Sequence, residues 1–96
     1  MSVYRRRPSR DIVWTHYQDS NNWVVFNPAS ADVHLVTASA HHLWTLVPED
    51  RGRSTAELIA ALAADSGCDI DRAFAQTTED TLAFLDSAGL LESVSP

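Results

Sequence analysis

The sequence predicts an α+β domain in which a three-stranded antiparallel sheet is followed by three helices, in the order βββααα. Two patterns carry that prediction. Up to Thr37 the apolar residues form short runs rich in Val, Trp, Phe and Tyr, separated by Asn, Asp, Ser and Pro clusters, the signature of strands and turns. From Ala40 onward they recur at helical spacing. With 96 residues, 45% of them hydrophobic, the chain has the makings of one modest core. Three strands under a helical cover are about the least that folds independently.

Residues 1–10 hold four of the seven basic residues (Arg5, Arg6, Arg7, Arg10) and read as a flexible arm, with a single domain over 11–96. The first strand comes from DIVWTHY, Asp11 to Tyr17, whose alternation suits a strand covered partly on both faces. QDSNN is a turn cluster, because Asp and Asn bond to their own backbone and tolerate left-handed dihedrals. The second strand is Trp23 to Asn27, ended by Pro28, which has no N–H to donate. The third spans Asp32 to Thr37.

In the helical half, Ala40, Leu43, Trp44 and Val47 make one apolar stripe, with Thr37 or Ser39 as cap and Pro48 as stop. Ser54 and Glu57 form a capping box ahead of Leu58, Ile59 and Leu62, and Gly67 suits a left-handed stop. The third helix opens near Asp69 or Asp71, carries Phe74, Thr78, Thr81, Leu82, Leu85 and Ala88 on one face, and closes at Gly89. Leu90 and Leu91 then return to the core.

Charge narrows the function classes. From Asp11 onward three arginines stand against thirteen carboxylates, leaving ten negative charges on the folded part. A nucleic-acid surface needs a basic face, so the body suits a basic partner or substrate instead. No apolar run approaches the ~20 residues of a membrane span. The single Cys68 excludes an internal disulfide and fits a reducing cytoplasm.

Catalytic and metal signatures are sparse. His41 and His42 are adjacent on a helix and point about 100° apart, so a metal site would need His16, His34 and a third ligand that the sequence does not specify. Asp65, Asp69 and Asp71 fail the calcium-loop spacing and are explained as a helix stop and cap. Cys68 has no neighbouring Lys or Arg to activate it. The three glycines stand singly, with no phosphate loop. Trp14, Trp23 and Trp44 are read as core or half-buried cover, with a ligand cage as the alternative. The expectation is a binding module with no catalytic residue, metal or cofactor.

The ordered series WVVFNPASADVHLVTASAHHLWTLV, STAELIAALAADSG and TLAFLDSAGLLE resembles the PqqD-like peptide chaperones, the recognition elements of ribosomally made and modified peptides. The similarity covers about residues 11–92 and is nearest to the subgroup found beside an HPr-kinase-like protein. The resemblance implies a winged-helix-like fold that binds a precursor's leader peptide as an added strand. It also implies presentation of that precursor to a modifying enzyme, such as a radical-SAM or HPr-kinase-like protein. Carried onto this chain, the added strand pairs with Asp32, Val33, His34, Leu35, Val36 and Thr37. The third helix walls the groove with Thr77, Thr78, Thr81, Phe84 and Leu85. Strand addition requires an edge free of Pro and rich in uncharged residues, which Val33 to Thr37 supplies. The alternatives are a winged-helix DNA-binding module and a self-associating module, as monomer or homodimer.

Overall fold

Alternating apolar residues and two turn clusters build the first sheet. A computed structural model describes residues 3–6, 12–17, 21–28 and 31–94, and its fold is α+β. Strands β2 (Val13–His16), β3 (Asn22–Asn27) and β4 (Asp32–Thr37) form an antiparallel meander with β3 in the centre. Two residue rows cross its outer face, Val13–Phe26–Val33 and Thr15–Val24–Leu35. The other face carries Trp14, Val25 and His34 in one row and His16, Trp23 and Val36 in the next. That second face meets the core, where Val25 and Val36 are buried.

The helices follow as predicted, with sharper ends. Helix α1 (Ala38–Leu46) is capped by Thr37, whose hydroxyl accepts the Ala40 N–H at 3.1 Å. Helix α2 (Thr55–Ser66) is capped by Ser54, which accepts the Glu57 N–H at 3.2 Å and donates its hydroxyl to the Glu57 carboxylate at 3.1 Å. Gly67 ends it in the left-handed region, φ 67°, where a side chain would be strained. Helix α3 (Arg72–Ser87) starts at Asp71, whose carboxylate accepts the Phe74 N–H at 2.8 Å. The fully buried side chains come from both halves of the chain: Val25, Leu43, Val47, Leu58, Leu82, Leu85, Leu90 and Leu91.

One expectation is overturned. Within the predicted flexible arm, β1 (Val3–Arg6) is an ordered strand, the centre of a second sheet between β5 (Arg53–Ser54) and β6 (Leu91–Val94). Side chains, as well as the ladder, hold it. Tyr4 joins the core, Arg5 pairs with Glu92, and Arg6 donates to the Val47 carbonyl while its guanidinium lies 4.7 Å from the Trp44 ring centroid. These arginines therefore serve the fold. The remainder of the arm, Arg7 and Arg10 included, lies outside the described residues. The βββααα order is thus kept, with three short strands of a second sheet interleaved.

Gly52, just before β5, lies against Val3 of β1. A Cβ there would stand 2.4 Å from Cγ1 of Val3, so a side chain at this turn requires the Val3 side chain to shift.

Candidate functional site

In the sheet β2–β3–β4, the far side of β4 is unpaired among the described residues. The ladder settles which backbone groups face that open side. Tyr17 donates its N–H to the Asn22 carbonyl at 3.0 Å, and the two are partners in the register that pairs His16 with Trp23. Asn22 therefore bonds toward β2, and alternation turns the backbone of Trp23, Val25 and Asn27 toward β4. Their partners Val36, His34 and Asp32 bond inward. Val33 and Leu35 are left presenting N–H and C=O to the open edge.

Beside this edge runs a groove of ≈ 320 Å³ between β4, the start of α1 and α3. Leu35, Val36, Thr37, Thr77, Thr81 and Phe84, all candidates from the sequence, line it together with Ala40 and Asp80. Thr77, Asp80, Thr81 and Phe84 recur at i, i+3, i+4 and i+7, one stripe of α3. Asp80 brings the groove's carboxylate and accepts a hydrogen bond from Gln76 at 2.9 Å.

The other candidates fall elsewhere, and two are corrections. Thr78 and Leu85 lie on the stripe of α3 that turns inward. Thr78 is 3% exposed and donates its hydroxyl to the Phe74 carbonyl at 2.9 Å, and Leu85 is fully buried. Neither reaches the groove; both belong to the core. Asp32 and Val33 are exposed on β4 outside the groove lining, and His34 packs edge-on against Phe84 at 5.8 Å. Ala40 and Asp80 were missed, although the helical period from Thr77 to Phe84 includes Asp80. Ala40 depends on how α1 turns off β4, which no local pattern records.

The three tryptophans gather around His41. Trp23 stacks on its imidazole with centroids 3.9 Å apart, Trp14 meets it edge-on at 4.7 Å, and Trp44 lies at 6.3 Å. Trp44 also donates its indole N–H to the Leu90 carbonyl at 3.3 Å. This cluster packs against the core and ties the sheet to α1, the cover role expected of large aromatics.

Desolvation, aided by the charge of His42, holds His41 below the ordinary imidazole pKa. The unfolded chain therefore binds the proton first, so stability from this residue is complete above the unfolded value of about 6.5 and is lost as pH falls through the folded one. The melting temperature should drop more between pH 7.5 and 5.5 in the parent chain than in His41→Gln. Equal drops, measured by circular dichroism, would remove His41 as the cause.

His16 and His34 stand on strands either side of β3 and in different rows, so they do not face one another. Among the described residues no three His, Cys, Asp or Glu side chains lie close enough to hold a metal ion. Cys68 is exposed, and His42 contacts Asp65 at 3.1 Å on the surface. No helix among the described residues is long and apolar enough to cross a membrane. Compared with protein-family models, curated proteins and solved structures, the chain matches none.

Proposed function

We propose that this domain is a non-catalytic adaptor that captures an extended segment of a precursor peptide as a fourth strand on β4 and presents it to a separately supplied modifying enzyme. The observation that carries the proposal is the coincidence of outward backbone groups at Val33 and Leu35 with the groove beside them. Strand addition takes its affinity from main-chain hydrogen bonds and its specificity from pockets for alternate side chains. Leu35, Ala40 and Phe84 provide an apolar pocket, and Asp80 favours a basic side chain on the incoming strand. The resemblance to PqqD-like chaperones supports the same reading.

Synthetic peptides from short reading frames beside the gene are the natural probes. Thr81→Arg should weaken their binding at least about tenfold by isothermal titration, a loss of about 1.4 kcal/mol. Its melt should stay close to the parent's, since the Thr81 hydroxyl bonds only within its own helix, to the Thr77 carbonyl at 2.8 Å. Full affinity in the variant would exclude the groove as the binding site. For a basic peptide, raising NaCl from about 0.05 to 0.5 M should weaken binding a few-fold by screening.

DNA binding through α3 is the second reading, motivated by the winged-helix analogy alone. It is disfavoured by Asp71, Glu79, Asp80 and Asp86 on or at the start of a helix whose only basic residue is Arg72. Sequence-specific retention of a duplex at about 0.15 M salt would reverse that ranking.

A further inference from the structure

The groove beside β4 has two ends of different chemistry. Phe84, a large hydrophobic left 40% exposed, stands edge-on to His34 at 5.8 Å and fixes one end. From there the lining continues along β4 through Val36 to Thr37, and back along α3 through Asp80 to Thr77. Asp80 precedes Phe84 by one turn, about 6 Å along the helix axis, and comes abreast of Val36. Its carboxylate accepts the Gln76 amide at 2.9 Å, and among the described residues no Lys, Arg or His pairs with it. Arg72, the only basic residue of α3, is about two turns away.

We propose that the segment captured on β4 is marked by a basic residue followed two positions later by a large apolar one, read by Asp80 and Phe84 respectively. The inference rests on the strand-addition reading, and goes beyond it in fixing which side chains the segment carries and at what spacing. His34 and Val36 point to the core face of the sheet, so the residues beside them on an added strand point the same way, toward α3. Those two residues are about 6.7 Å apart, close to the rise of about 6 Å between Asp80 and Phe84. The one beside His34 meets the Phe84 ring, and the one beside Val36 meets Asp80. A lysine or arginine there lays its methylene stem over Ala40 and brings its charge to the carboxylate. Antiparallel pairing is the more stable sense per residue, and it places the residue beside Val36 first in the incoming chain. A spacing of one or three positions would turn the two side chains to opposite faces of the strand.

Selection from a displayed library of randomised peptides, each about ten residues long so as to overlie β4 and its flanks, tests this against the immobilised full chain. Leu35→Pro and Asp80→Lys chains are selected in parallel. The parent should enrich Lys or Arg two positions before Leu, Ile, Met or Phe. The Asp80→Lys chain should enrich Asp or Glu in place of the basic residue and keep the apolar one. In a selected peptide made synthetically, replacing the lysine by glutamine should weaken binding to the parent about two- to fivefold by fluorescence anisotropy, and should be without effect on Asp80→Asn. Asp80 is exposed and its bond to Gln76 lies within α3, so both variants should fold, which circular dichroism checks. Peptides that bind the parent and need Leu35, yet carry no such pair or carry it reversed or at another spacing, overturn this inference and leave strand addition standing. Peptides that bind Leu35→Pro equally well, or a library that yields no binder, overturn both.

Discussion

Leu35→Pro is expected to weaken peptide capture at least about tenfold while leaving the domain folded, and His34→Pro, one residue earlier, is expected to destabilise the fold strongly. The difference lies in the direction of one N–H. Leu35 turns its amide to the open edge, where proline is tolerated because no ladder bond is lost. An incoming strand, however, loses that donor and meets the pyrrolidine ring at the pairing position. One hydrogen bond is worth about 0.5–1.5 kcal/mol net, and the blocked approach adds to it, so affinity should fall at least about tenfold. His34 bonds inward to Val25, so proline there removes a ladder bond and drives its ring into the central strand. A cost of about 3 kcal/mol or more is expected. Circular dichroism melts should separate the two variants cleanly, with Leu35→Pro within a few degrees of the parent. A Leu35→Pro protein that binds peptide normally would show that β4 is not the pairing strand.

Leu85→Ala should produce the largest loss of stability of any side chain first assigned to the groove. Leu85 is fully buried, in one cluster with Leu82, Leu43 and Val25. Truncation there removes transfer energy and leaves a cavity, together about 2–5 kcal/mol. A domain of this length has roughly 5–14 kcal/mol in all, so denaturant midpoints should shift markedly and the melting temperature should fall by more than about 10 °C. Thr81→Arg, four residues away, should do the reverse, losing peptide without losing the fold. A Leu85→Ala protein with parental stability would mean that α3 is rotated about its axis from the position described.

These contrasts mark how far the residues could be read without the structure. The strand over Asp32 to Thr37 was legible to the residue, because Pro28 and the Asn–Asp punctuation bound it and its composition is uniformly strand-forming. The capping residue Ser54 and the stop at Gly67 were legible too, and the start of α3 was narrowed to Asp69 or Asp71, since capping depends on local chemistry. What escaped was non-local. Val3 to Arg6 has no periodicity long enough to declare a strand, and its order depends on Glu92, Val47 and Trp44, far away in sequence. The phase of α3 was ambiguous for a similar reason: Thr77, Thr78 and Thr81 are alike in chemistry, and only packing decides which of them is buried. The outer sheet face was in view as Val13, Phe26, Val33 and Leu35, but apolar residues on both sides of a strand look like burial on both sides.

Amide hydrogen exchange at β4, read residue by residue with and without a saturating peptide, tests the strand-addition proposal most directly. In the free monomer His34 and Val36 should be protected by the ladder to β3, while Val33 and Leu35 exchange quickly. Peptide should protect Val33 and Leu35 and leave the other two nearly unchanged. Fast exchange at Val33 and Leu35 under saturating peptide would contradict capture at this edge, as would protection of both in the free monomer.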